Sequence, residues 1–387
     1  MNKGCMLCGS SEVIEFLKRT DVPVHQNIIF PSSESARMGT RGDLDMCVCA
    51  SCGFVFNRSF DEKLLSYGPS YDNNQTCSKH FNSYLDEIVE KLVNENDVRD
   101  SVIVEVGCGR GQFLKKLIDY PGANNKGYGF DPSYVGPDTD LDGRIRFRKC
   151  FYDENCTDVA ADVIICRHVI EHVRNPVELL QSVGKALAAS PRAKIFFETP
   201  CVEWILENGV LWDFFYEHCS LFTAKSLMTA FQRVGFHVES VGKVFGGQYL
   251  WIEGAVTGAS VPMVYSSERI VDLARKFSLQ EKNSILDFQE KITRMKSSGP
   301  IALWGAGAKG VTLANLIDPQ KKLIDCIVDL NPAKQGFFIS GTGHPVVGPR
   351  RLKDRHVAYA VVMNPNYMDE NKRILTDECI DTKLVFL

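Results

Sequence analysis

VIVEVGCGRGQFLKKL, running from Val102 to Leu117, is the stretch whose reading decides the fold. A short apolar run of strand type carries Glu105 near its end and enters a turn in which Gly107, Gly109 and Gly111 alternate with other residues. An amphipathic helix follows. Glycine lets the backbone approach a ligand closely, and the first turn of the helix offers unpaired N–H groups to it. The spacing differs from the G-x-G-x-x-G of dinucleotide folds. About twenty residues on, GYGF ends in Asp131, where a carboxylate is expected to accept both hydroxyls of a ribose. Pro132 follows it. In RFRKCFYDE, residues 146–154, Phe151, Tyr152 or Asp153 can border an adenine. A fourth strand in ADVIICRHVIEHV, residues 161–173, leads to Arg167, His168 and His172, the first two placed at or beneath the far end of the same ligand.

Outward from this core, short apolar strands alternate with helices. VIVEV, KGYGF, RIRFR, ADVIIC and AKIFFE predict an α/β, doubly wound parallel sheet over residues 99–255. Before it, residues 61–98 pass from a polar, tyrosine-containing loop into an amphipathic helix, with Phe81, Tyr84, Ile88, Leu92 and Val93 near helical spacing. After it, residues 256–298 read as a charged helical connector. A second alternating unit, residues 299–387, begins at IALWGAGAKG and predicts a smaller C-terminal Rossmann-like domain. Ordinary hydrophobic and charged shares (44% and 24%) and a net charge of -4 give no basic footprint for nucleic acid. The start, MNKGCMLCGS, has no apolar leader, and no run reaches the roughly 18 apolar residues of a membrane helix. The expectation is a cytoplasmic protein that acts on a small molecule, without nucleic-acid or membrane partners.

Residues 1–60 carry two CxxC pairs, Cys5 with Cys8 and Cys49 with Cys52, each followed by a glycine. Two intervening residues let both thiolates face one ion at about 2.3 Å, and the glycine permits the tight knuckle. The long stretch between the pairs, residues 9–48, must fold as an insert. Four cysteines leave no position for water, so the expectation is a structural Zn2+.

Beyond the fifth strand the chain reads Glu198-Thr199-Pro200, and Pro200 turns it into a loop over the sheet edge where open α/β folds bind ligands. Tyr216, Glu217 and His218 follow, before a helix capped by Thr223. A histidine beside a carboxylate can serve as a tuned general base.

The E-x-G-x-G-x-G segment, the acidic second strand and the fourth strand running into a helix resemble the class I S-adenosylmethionine (SAM)-dependent methyltransferases. The resemblance implies SAM as methyl donor, held by Glu105, Gly107, Cys108, Gly109, Asp131, Pro132, Phe151, Tyr152, Arg167 and His168. Other features resemble the C-methyltransferases that act on nucleotide-linked 4-keto-deoxysugars, and this likeness spans essentially the whole chain. They are the paired CxxC motifs, VPVHQN (Val22–Asn27), the tyrosine-rich approach to the sheet, the Glu217-His218 motif, Gly246-Gly247, GAGAKG (Gly305–Gly310) and DLNPAKQG (Asp329–Gly336).

The implied chemistry is removal of the proton next to a sugar ketone and attack of the enolate on the donor methyl. His218 is the implied base and Glu217 its orienting partner, with Tyr216 or His172 donating to the enolate oxygen. The C-terminal unit is expected to help hold the nucleotide-sugar. Two departures stand out. Phe215 replaces a tyrosine of the family's Y-H-E-H loop, and Phe245–Leu250 reads FGGQYL where relatives carry HGGSLR. O- or N-methylation of another small-molecule acceptor stays open on that account, and a non-enzymatic zinc-ribbon and SAM-binding adaptor is the further alternative.

Overall fold

A computed structural model describes residues 4–68, 71–156, 158–188, 190–261 and 266–386. The alternating strands form an eight-stranded sheet. Its order is His237–Val244, Tyr249–Ala255, Lys194–Pro200, Val163–Arg167, Val102–Val106, Lys126–Phe130, Ile145–Arg148 and Thr139–Asp140. The five strands from Lys194–Pro200 to Ile145–Arg148 run parallel, as expected. Tyr249–Ala255 departs from that expectation and lies antiparallel between Lys194–Pro200 and His237–Val244. The cause is local: Phe245–Gln248 is a tight turn with positive φ at Phe245, Gly246 and Gly247, far too short for the crossover a parallel neighbour needs. Strand order reverses between Val102–Val106 and Val163–Arg167, which opens a crevice at the sheet's C-terminal edge.

The helix Lys79–Asn94 covers one face. Its apolar stripe, including Phe81, Leu85, Ile88 and Leu92, is buried against the helix Gln112–Ile118. Each such side chain contributes about 1.5–3 kcal/mol by leaving water. At the N-terminus, Val13–Pro23, Arg41–Cys49 and Val55–Asn57 form an antiparallel sheet, and the two-residue strand Ser220–Leu221 joins its edge. That strand begins two residues after His218, so the N-terminal sheet anchors the loop that carries it.

The C-terminal unit is a five-stranded parallel sheet in the order Val346–Val347, Cys326–Val328, Ile301–Trp304, Tyr359–Val362 and Lys383–Val385. Its strand Phe338–Ile339 pairs with Ile29–Phe30 of the N-terminal region. The connector is one helix, Glu268–Lys296. It does more than connect: it buries Ile270, Val271, Ala274, Phe277 and Ile292, and it packs on Val13–Pro23, Val202–Glu207 and Ala308–Ile317. Its partners lie at different points along its length, so no single stripe is apolar throughout. No helix among the described residues is long and apolar enough to cross a membrane.

Candidate active site

A cavity of about 730 Å3 fills the crevice where strand order reverses. Every residue singled out for the donor lines it: Glu105, Gly107, Cys108, Gly109, Asp131, Pro132, Phe151, Tyr152, Arg167 and His168. The turn has φ of +72°, +54° and +74° at its three glycines, and the chain enters the helix Gln112–Ile118 straight from Gly111. A Cβ on Gly107 would stand 2.1 Å from Val169, whereas one on Gly109 would meet no atom within 4 Å. Gly107 is therefore needed for packing, and Gly109 faces open space where a ligand can approach.

Asp131 is held by its own loop. Its Oδ2 accepts the Gly109 N–H at 2.8 Å, and its Oδ1 accepts the Ser133 N–H and hydroxyl at 2.7 and 2.6 Å. Tyr152 is buried edge-on against Phe130, while Phe151 is 63% exposed at the rim. Of the two, Tyr152 is the formed wall. Glu105 is buried with no partner for Oε2, and burial raises its pKa to about 8 against the pull of Arg167. An unsatisfied carboxyl of this kind suits a cationic ligand group, and these residues fit SAM, whose aminoacyl end carries an ammonium.

Behind the wall lies a buried polar core. Arg167 donates from Nε to Glu198 at 2.6 Å and stacks 4.5 Å from the ring of Phe113, and Tyr84 donates to Glu198 at 2.5 Å. Burial opposes ionisation of Glu198, yet Arg167 and His168 hold its pKa at about 2. His168 sits between two carboxylates, Glu171 Oε1 at 3.2 Å and Glu198 Oε1 at 3.6 Å. Burial lowers its pKa, but the two charges overcome that and raise it to about 9. It is half-buried, its charged form is favoured by the two carboxylates, and its φ is +54°. Tyr84, Glu171 and Glu198 were not singled out from the sequence as members of this core. Only proximity across four segments reveals them.

A second cavity of about 270 Å3 lies between the sheet edge and the glycine turn of the C-terminal unit. It shares Tyr71, Gln75, His168 and His172 with the first, so the two meet at that wall. His218 and Phe215 line it. The His218 ring lies 4.0 Å from Phe215 and 4.8 Å, edge-on, from His172. Burial, then repulsion from any charge on His172, His168 and Lys309, pushes the pKa of His218 well below its ordinary value. His172 is lowered too, chiefly by burial, and its Nδ1 lies 3.2 Å from the Tyr67 hydroxyl. Glu171, His172 and His218 bring one ligand-type atom each within 4.8 Å of one another. Both Glu171 oxygens are nevertheless taken, by His168 and by the Thr199 hydroxyl at 3.1 Å.

Two expected roles do not survive this geometry. Glu217 does not orient His218: its Oε2 accepts the Gln26 N–H at 2.9 Å, its Oε1 has no partner, and burial raises its pKa to about 7. The side chain points into the VPVHQN segment: at the turn formed by Tyr216 and Glu217 both side chains leave the cavity that Phe215 and His218 line. Tyr216 is also absent from the cavity. Its hydroxyl binds the backbone of Asp61, and its ring lies on Gly42, where a Cβ would come within 2.4 Å. It braces the loop from behind. Tyr71 and Lys309 line this cavity, and Tyr67 the larger one, without having been singled out. Their signal was the tyrosine-rich approach and the GAGAKG motif, whose destination depends on tertiary contacts.

The four cysteines converge. Cys5 and Cys52 sulfurs are 3.7 Å apart, Cys8 and Cys49 sulfurs 3.5 Å, and all four lie within 4.8 Å of one another. Thiolates at about 2.3 Å from one tetrahedral ion stand at about this spacing. Gly9 and Gly53, both with positive φ, donate N–H to the Cys5 and Cys49 carbonyls at 2.8 and 2.9 Å and close the two knuckles. Cys47 points elsewhere, toward the Asp45 carbonyl.

A family described as a methyltransferase domain matches residues 78–241, and one described as a C-methyltransferase C-terminal domain matches residues 267–379. The chain is 24% identical over 390 residues to the C-methyltransferase NovU of Streptomyces niveus, covering 95% of this chain and 90% of that protein. It is 27% identical over 104 residues to the tRNA U34 carboxymethyltransferase of Helicobacter pylori (strain P12), covering 24% of this chain and 39% of that one. Among solved structures it is similar to the Burkholderia thailandensis 1,6-didemethyltoxoflavin-N1-methyltransferase, with 14% identity, a TM-score of 0.35, and coverage of 47% of this chain and 88% of that chain.

Proposed function

From the premise that this chain belongs to the SAM-dependent C-methyltransferases, we propose that it methylates the carbon next to the ketone of a nucleotide-linked ketosugar, through an enolate. The observation that carries this reading is the meeting of the two cavities at His168, His172 and Tyr71, with His218 on the acceptor side. SAM, seated in the larger cavity, supplies a methyl group on a sulfonium. Glu105 faces its ammonium, Asp131 its ribose, and Tyr152 the adenine. The smaller cavity runs from the imidazoles to the glycine turn at Gly305, which suits a sugar at one end and a nucleotide at the other. Zinc held by Cys5, Cys8, Cys49 and Cys52 is structural in this scheme.

His218 takes the proton from the carbon next to the ketone. It is positioned by the faces of Phe215 and His172 instead of by a carboxylate. An imidazole so reluctant to become charged removes a carbon acid's proton only if the negative charge left behind is stabilised at the same time. General-base assistance contributes about 10²–10⁴-fold, and the rest must come from donors aimed at the oxygen.

The test is a mass-spectrometric screen of nucleotide-linked ketosugars with SAM, in which an acceptor gains about 14 daltons. With the demethylated donor product in place of SAM, wild type exchanges solvent deuterium into the carbon next to the ketone. His218→Ala binds SAM normally, does not exchange, and loses about 10²–10⁴-fold in turnover. Methyl transfer without exchange in wild type would overturn the enolate route and favour an oxygen or nitrogen acceptor. A fully active His218→Ala would show that another group is the base.

A further inference from the structure

We propose that Lys309, contributed by the C-terminal unit, is the catalytic group that receives the negative charge developing on the acceptor's ketone oxygen. The inference rests on the enolate reading above and assigns the role left open once Tyr216 is found behind the loop.

Among the described residues lining the acceptor cavity, three side chains other than His172 and His218 can carry a positive charge: His168, Lys309 and Lys334. His168 is committed to Glu171 and Glu198, and its Nε2 is buried toward Glu198. Lys334 is 4% exposed and donates to the Ala306 carbonyl. Lys309 is different, since a quarter of its side chain remains open. Its ammonium donates to both oxygens of Asp213 at 2.5 Å, which leaves the third of its three protons for a ligand. It stands in the first turn of the helix Ala308–Ile317, where unpaired backbone N–H groups add positive potential.

The pairing with Asp213 also fixes where the ammonium stands. Asp213 opens the loop that continues through Phe215 to His218, so the ion pair ties the C-terminal glycine turn to the segment carrying the base. Lys309 is one of the charges that disfavour an imidazolium at His218, which places the two groups within electrostatic reach. An enolate between them resolves the conflict: the proton leaves carbon for the imidazole, and the electron pair of the broken C–H bond delocalises onto an oxygen that faces the ammonium. The C-terminal unit thereby becomes part of the chemistry as well as a wall of the cavity.

The experiment compares full-length wild type, Lys309→Met, Lys309→Ala and Asp213→Asn, using a nucleoside-diphosphate-linked 4-keto-6-deoxyhexose and SAM. Loss of one such donor typically lowers kcat about 10²–10³-fold. That loss is expected for Lys309→Met with SAM affinity unchanged and a smaller change in KM, and deuterium exchange with the demethylated donor should fall in parallel. Added methylamine or ethylamine should restore part of the turnover of Lys309→Ala, which a purely structural lysine would not allow. Asp213→Asn keeps the charge and should lose less. Full kcat in Lys309→Met, or a loss confined to KM without amine rescue, would overturn the proposal and make Lys309 a domain tie or substrate anchor. Should Lys309→Met not fold, Asp213→Asn and amine rescue of Lys309→Ala decide. Absence of exchange in wild type would instead bring down the enolate reading itself.

Discussion

Glu217 is fully buried, bonded through one oxygen to the Gln26 amide, and its pKa is raised to about 7 because burial penalises the carboxylate. A carboxylic acid with a raised folded-state pKa favours folding in its neutral form. Its contribution is therefore intact below the unfolded value, near 4.5, and is lost as pH climbs to about 7. The shift corresponds to on the order of 3 kcal/mol at most. Glu217→Gln, which can accept the same N–H but cannot ionise, should remove this dependence. Urea unfolding at pH 5 and pH 8 checks it: wild type should lose more stability across the interval than the variant. Equal losses would mean that Glu217 stays neutral throughout or is reached by water. The neighbouring His218 lies only one residue away yet faces a different environment, which is how one short loop supplies both a brace and the proposed base.

At the scale of an element, the glycine turn after Val102–Val106 separates two uses of the same residue type. Gly107 has φ of +72° and no room for a Cβ against Val169, while Gly109 has φ of +54° and open space beside it. Gly107→Ala must pay strain and overpacking together and should destabilise the fold by about 2–4 kcal/mol. Gly109→Ala carries mainly the left-handed strain of about 1–2 kcal/mol. Denaturant midpoints of the two variants rank them, and equal losses would show that the Val169 contact relaxes freely. The helix Glu268–Lys296 teaches the converse point about elements. Its helical character was plain from its charge and weak periodicity, but its buried positions are chosen by partners from the N-terminal sheet at one end and the C-terminal unit at the other.

Across the whole molecule, the proposed acceptor site is assembled from every part of the chain. The strand Ser220–Leu221 is held on Val55–Asn57 of the N-terminal sheet, and the Asn57 N–H donates to the Cys219 carbonyl at 2.9 Å. The donor cavity lies in the central sheet and draws none of its lining from the described residues of the cysteine module. The expected outcome is a separation of functions. Cys5→Ser with Cys8→Ser should abolish zinc binding, measured by metal analysis near one ion per chain in wild type, and unfold the N-terminal module. Methyl transfer should fail because the His218 loop loses its anchor, while calorimetry should still detect SAM binding. Wild type without zinc, or a double variant that keeps it, would defeat the metal assignment. Full turnover without the metal would show that the strand pairing alone holds the loop.

Local rules were enough to determine much of this from the sequence. Strand–turn–helix alternation, the glycines before Gln112, the acidic end of the second strand and the paired CxxC knuckles each place backbone within a few residues, and such short-range constraints leave little choice. The class of fold, the donor cavity and the cysteine cluster follow from them. The sequence could not tell which side of the 215–218 loop faces the acceptor, because that depends on Gln26 capturing Glu217 and Asp61 capturing Tyr216 from distant segments. Nor could it bring Tyr67 to His172 or Lys309 to Asp213. These contacts join residues far apart in the chain and are decided by how the sheets pack, since only packing sets which buried polar groups must find one another.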